Sequence, residues 1–128
     1  MQPEVIRIAL PLPNAVLSPN STIGSLGGRM MKATATKKYR RLACEAVEAE
    51  RVDSAPWEVV IVKATFYKPR RSRFDPDNAA GSLKAAYDGI VDAGLVPDDD
   101  IDHMKREMPD LAIDKENPRV MIEITRIK

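Results

Sequence analysis

The chain is 128 residues long, the size of one domain, and its 44% hydrophobic and 30% charged residues describe a globular rather than a disordered protein. A net charge of +1 lacks the overall basicity typical of a nucleic-acid-binding domain, so any such function must rest on where the charges lie. With Cys44 and His103 the only residues of their kinds, an internal disulfide is excluded, and a zinc site or a histidine-based triad has little to draw on.

No basic region followed by a long apolar run opens the chain, and no segment approaches a membrane span, so a soluble, cytoplasmic protein is expected. Val5 to Leu12 reads as a first strand, stopped by Pro11 and Pro13. From Asn14 to Ala33 the residues are rich in Asn, Ser, Pro and Gly and predict a long loop, without the G-x-x-x-x-G-K-[ST] spacing of a phosphate-binding one. Met30-Met31 at its end is read as packing rather than as a cofactor contact. Thr34 or Thr36 then caps a helix to about Arg51, since Tyr39, Leu42, Ala43, Ala46 and Val47 recur at helical spacing. Its other face carries Lys37, Lys38, Arg40 and Arg41 first and Glu45, Glu48 and Glu50 last, an order opposed to the helix dipole; a solvated face is favoured there over a DNA contact.

Trp57 to Tyr67 is rich in β-branched and aromatic residues and predicts a central strand. Asp77 or Asn78 caps a second helix to about Ala93, with Leu83, Tyr87, Ile90 and Val91 as its buried stripe and Gly94 as its stop. Ile101 to Met108 predicts a polar edge strand with His103 at the surface, Pro109 to Pro118 a loop, and Val120 to Ile127 a last strand in clean alternation. This order defines an α+β fold, a small mixed β-sheet with two main helices packed on it, in a single domain over residues 1–128.

The chemistry concentrates between Arg73 and Asp100. Asp75 and Asp77 stand at a strand-to-helix junction, where extended backbone throws side chains two residues apart to one side, and Asp98, Asp99 and Asp100 follow the helix. Crowded carboxylates offer the hard oxygen ligands that Mg²⁺ or Mn²⁺ prefers, if folding returns the second group to the first. Lys84 and Asp88 are spaced i and i+4 on the helix. The approach, Lys68, Arg70, Arg71 and Arg73, is basic, which suits a phosphate-bearing substrate. Aspartates at helix starts and turns also serve simply as caps, so each group taken alone has a structural reading. An EF-hand is excluded, because counting from Asp75 leaves Ala80 where the loop glycine belongs and Ala86 where the bidentate glutamate belongs.

Taken together, Arg73-Phe74-Asp75-Pro76-Asp77-Asn78, Lys84-Ala85-Ala86-Tyr87-Asp88 and Gly94-Leu95-Val96-Pro97-Asp98-Asp99 follow the order R-x-D-x-D-N, K-x-x-x-D, G-x-x-x-D-D. In this the chain resembles the RusA-type Holliday junction resolvases, small endodeoxyribonucleases of phages and prophages; Leu10-Pro11-Leu12-Pro13 and the Asn-containing loop after it also look like that family's opening. The resemblance implies a RusA-like fold, a homodimer, and paired symmetric nicking of four-way DNA junctions in recombination and repair. It also implies Asp75, Asp77 and Asp99 as catalytic ligands of Mg²⁺ or Mn²⁺, Asp98 as a supporting carboxylate, and Lys84 as the positive group near the scissile phosphate. Lys68, Arg70, Arg71 and Arg73 would hold DNA phosphates without reading sequence. The Ala79 to Leu83 segment is longer than in the family pattern, which sets Lys84 almost one further helical turn from Asp77.

Two other readings stand beside this one: a branched-DNA-binding protein of the same fold that does not cut, and a metal-stabilised structural or phage-assembly protein without a nucleic-acid partner. The presence of all three aspartates favours the enzyme.

Overall fold

The computed structural model describes residues 4–19, 25–51 and 56–128. Strand β1 (Val5–Leu10) is followed by a short 3₁₀ turn (Ala15–Leu17), helix α1 (Leu26–Glu50), strand β2 (Val60–Lys68), helices α2 (Pro76–Ser82) and α3 (Lys84–Asp92), and strands β3 (Met104–Arg106), β4 (Asp110–Ile113) and β5 (Arg119–Arg126). Among the described residues the strands make one mixed sheet in the order β1-β5-β2, with β3 and β4 both lying along the outer edge of β2. β5 is antiparallel to β1 and β2, and β3 and β4 are parallel to β2. The α+β class expected from the sequence is what the chain adopts.

Alternation explains the core. Ile6, Ile8 and Leu10 of β1, Val60, Val62, Ala64 and Phe66 of β2, and Val120, Ile122 and Ile124 of β5 are buried, and the register sets Ile8 opposite Ile122 and Val62 opposite Ile124. One sheet face is therefore apolar and takes up Tyr39, Ala43 and Val47 of α1 with Ala86, Tyr87 and Ile90 of α3. The Tyr39 hydroxyl donates to the Pro11 carbonyl at 2.8 Å, tying α1 to the end of β1. Where α1 crosses α3, Gly89 lets the backbones approach so closely that an added Cβ would meet the Arg40 carbonyl and lie 2.8 Å from the Ala43 Cβ. No helix among the described residues is long and apolar enough to cross a membrane.

Several expected boundaries move. The long loop is instead a 3₁₀ turn followed, beyond residues 20–24, which lie outside the described residues, by the first turns of α1; the helix is capped by Ser25, whose Oγ accepts from Gly28 N at 3.0 Å. Thr34 and Thr36 are not caps but helix-interior residues whose hydroxyls donate back to Met30 O and Lys32 O at 3.0 and 2.7 Å. Met30 and Met31 do not pack: each is 62% exposed. The second helix divides at Leu83, a fully buried residue whose φ of −96° and ψ of 4° leave the helical region, so α2 and α3 are separate. The edge strand contracts to Met104–Arg106, and the loop after it contains β4, paired with β2 from Thr65 to Lys68. The first, central and last strands form near their expected places, as Val5–Leu10, Val60–Lys68 and Arg119–Arg126, the first ending before Pro11 and the second starting after Trp57, and Gly94 stops α3 with a φ of 78°.

Candidate active site

β2 ends at Lys68 and hands the chain to a basic segment in which Arg70, Arg71 and Arg73 are exposed and make no ion pair with any described residue. Phe74 anchors the segment. Its ring meets Phe66 edge-on at 5.5 Å between centroids, and the Lys68 ammonium lies 5.6 Å from the ring's centre. The next residue, Asp75, is the cap of α2, correcting the expectation of Asp77 or Asn78: its Oδ1 accepts from Asp77 N at 3.0 Å and Asn78 N at 3.4 Å, with Pro76 opening the helix. Because the helix begins at Pro76, Asp75 is extended while Asp77 already lies in the first turn, so the two do not share one extended stretch of backbone. Ser18 donates to Asn78 Oδ1 at 2.6 Å, drawing the segment after β1 toward α2. Between them opens a cleft of about 790 Å³, with apolar walls from Leu12, Phe66 and Phe74 and with Lys68, Arg73 and Asp75 among its polar groups.

A second cluster forms where α3 begins. The Lys84 ammonium bonds Asp88 Oδ1 at 2.9 Å and also Asp99 Oδ2, on the turn beyond the helix. That turn is held from beneath by Leu95 and Val96, both buried, and Trp57 N donates to Leu95 O at 2.6 Å. Within it Asp98 Oδ1 accepts from Asp99 N at 2.7 Å, and Asp100 Oδ1 contacts His103 Nδ1 at 2.6 Å. Arg106, on β3, approaches from the other side, with its Nη2 donating to the Asp99 carbonyl at 2.6 Å and lying 3.1 Å from Asp99 Oδ2, and its guanidinium 4.8 Å over the Tyr87 ring. The Lys84 hydrogen bond holds the Asp99 carboxyl below the usual carboxylate range, and Asp99 first and Asp88 second push the Lys84 ammonium above the usual lysine range.

Folding thus brings together Lys84, Asp88 and Asp99, while Asp75 and Asp77 stand at the start of α2. The strand register locates the two groups: Val60 N donates to His103 O, so the aspartate turn lies by the beginning of β2, whereas Phe66 lines the cleft beside Asp75. From Val62, the partner of Arg106, to Phe66 is about 13 Å along an extended strand. The carboxylates have the right chemistry for a hard divalent ion, but as arranged they do not fit one: among the described residues no three His, Cys, Asp or Glu side chains are placed to hold it. Asp75 faces its own helix, and Asp99 faces two cations.

Of the basic face on α1, Arg40 is not available to a ligand, because it forms a forked pair with Asp92, its Nη2 at 2.8 Å from Oδ1. Lys37 and Lys38 remain exposed, and Arg41 lies 3.8 Å from Glu45. Cys44 donates to Glu48 Oε1 at 2.9 Å, and burial, with the Glu48 carboxylate second, pushes its thiol up to about 11. Arg106 and Ser18 join the two clusters without any signal in the spacing of the sequence, while Tyr87, expected only as part of the buried stripe, also carries the Arg106 guanidinium.

No family model matches this chain, and no curated protein is significantly similar to it. What the fold and clusters define is an α+β domain that sets two clusters of acidic and basic side chains along the segment from β2 through α2 and α3 to β3.

Proposed function

We propose that this chain is a structure-specific endodeoxyribonuclease that cuts four-way DNA junctions by paired nicks, acting as a homodimer and depending on Mg²⁺ or Mn²⁺. The observation that carries the reading is Lys84, set at the start of α3 with its ammonium on Asp99, at the place in the motif order where the family resemblance expects a phosphate-facing cation. Arg70, Arg71 and Arg73 are exposed beside the cleft that holds Asp75, and in this reading they carry the phosphates of the incoming strand. Lys84 offsets charge on the phosphate at the reacting bond. By the resemblance Asp75, Asp77 and Asp99, with Asp98 beside them, would be the carboxylates that meet the divalent ion; in the present arrangement they are not gathered around one, and Asp99 would first have to give up Lys84 on the oxygen that Arg106 also approaches. Two copies related by a two-fold axis would nick symmetrically disposed strands.

The pairing of Asp99 with Lys84 and Arg106 also favours a second reading, a chain that grips branched DNA without cutting it. Incubation of the protein with an end-labelled four-way junction, with Mg²⁺ and with a chelator, separates the two. Paired nicks that need the ion support the nuclease; a salt-sensitive shift without nicks supports the binder, and no shift at all removes both.

A further inference from the structure

We propose that Arg106 is a positioning residue for the reaction above, fixing Asp99 so that Lys84 is free to leave it; the inference rests on the nuclease reading of this site. The two cations grip Asp99 differently. Arg106 sits on β3, paired in register with Val62, and its guanidinium covers the ring of Tyr87, itself buried. It bonds the main-chain carbonyl of Asp99 at 2.6 Å as well as approaching the carboxylate at 3.1 Å, so it holds the turn and not only the side chain. A planar guanidinium fixed on a strand and stacked on an aromatic face has little freedom to move.

Among the described residues the Lys84 ammonium bonds carboxylates alone, those of Asp88 and Asp99. Its side chain is 60% exposed against 36% for Arg106, and its four-carbon stem lets the ammonium swing to another anion without moving α3. A phosphate oxygen of a bound strand is such an anion. When Lys84 turns to it, Asp99 keeps a cation and its turn keeps its shape, because Arg106 remains. Without Arg106 the same exchange would leave the Asp99 turn without its bond to β3, and the carboxylate, whose side chain is only 21% exposed, would retain Lys84 or shift with its turn.

The test compares the wild-type protein with Arg106→Gln, Arg106→Lys and Lys84→Gln. In the free protein, amide hydrogen exchange is followed at His103 and Met104, whose N–H groups bond the Asp100 carbonyl at 3.1 and 2.8 Å within the same turn. Arg106→Gln should speed their exchange about tenfold, and Lys84→Gln should leave it within about twofold. On a labelled junction, Arg106→Gln should lower the single-turnover rate at saturation by on the order of a hundredfold while the half-saturating concentration stays within about twofold. Arg106→Lys should recover part of that rate, since it keeps the charge and loses the fork. Unchanged exchange in Arg106→Gln, equal loosening by Lys84→Gln, or a loss confined to half-saturation would each overturn the proposal. A wild-type chain that leaves junctions intact removes the nuclease reading instead, and the exchange comparison then decides alone whether Arg106 or Lys84 holds the Asp99 turn.

Discussion

Lys84, at the start of α3, and Asp99, on the turn beyond its end, meet side chain to side chain, with Asp88 on the same ammonium at 2.9 Å. The contact closes the helix and its following turn into one unit. An ammonium in the first turn of a helix opposes the macrodipole, so this position is stabilised by its two carboxylates rather than by the helix.

Asp75→Asn, Asp77→Asn and Asp99→Asn should each abolish ion-dependent junction cleavage while junction binding persists, because the amide keeps the shape and loses the charge. Their stabilities should differ. Asparagine caps a helix about as well as aspartate, so Asp75→Asn should stay within about 0.5 kcal/mol of wild type, whereas Asp99→Asn takes the carboxylate from Arg106 and leaves Lys84 with Asp88 alone, and should cost about 1 kcal/mol. Denaturant melts of the three variants beside gel assays check both halves; near wild-type nicking by any two would refute the assignment.

The Lys84 pair has a defined pH window. Asp99 is lowered in the folded chain, so its contribution is present above the ordinary carboxylate value and is lost as pH falls through the lower folded value. Lys84 is raised, so its contribution is complete below the ordinary lysine value and is lost as pH rises through the higher folded one. The difference in melting temperature between wild type and Lys84→Gln should therefore be level from about pH 5 to pH 9 and shrink as pH falls below the ordinary aspartate value of about 3.9. A difference that instead grows on acidification would show that Lys84 stabilises the fold by another route.

Replacing Arg70, Arg71 and Arg73 together by Ala should weaken binding to junctions of any sequence and flatten its dependence on salt, each lost phosphate contact removing about 0.9 from the logarithmic salt slope. Stability should hardly change, since the three are exposed and unpaired among the described residues. Unchanged affinity and slope in a titration series would move the DNA path to the exposed Lys37 and Lys38 of α1.

Gly89→Ala tests the crossing of α1 over α3. The new methyl meets the Arg40 carbonyl and the Ala43 side chain, so the helices must part. A loss of about 2 to 3 kcal/mol in calorimetry is expected, against a gain of about 1 kcal/mol in helix propensity. A neutral or stabilised variant would mean the two helices slide freely.

The residues that sequence reasoning placed well are those whose burial alternates. β1, β2 and β5 show one apolar face each, and burial leaves a period that the eye can count. The first turns of α1 bury nothing, with Leu26, Met30 and Met31 all exposed, so no helical stripe announces them and the glycines around them suggest a loop. Of the four residues of β4, Asp110 and Ile113 are exposed and Leu111 and Ala112 half-buried, and they are recruited by the edge of β2 rather than by their own pattern. In the candidate site the acidic motif and the Lys84–Asp88 pair were legible because both are local. Arg106 was not, because its meeting with Asp99 depends on where β3 docks, which only the parallel register with β2 determines.

The place of β5 in the sheet has a consequence for how the protein is made. It is the last strand along the chain, yet it lies between β1 and β2, with Val5 opposite Thr125 and Val62 opposite Ile124. During synthesis β1 has no partner until Arg119–Arg126 has emerged from the ribosome, and the apolar faces of β1 and β2 wait unjoined. Pairings between such distant segments fold slowly and leave strand edges open to other chains meanwhile. A nascent chain stalled before residue 119 should therefore be held by chaperones or degraded, since β1 and β2 still lack the strand that joins them.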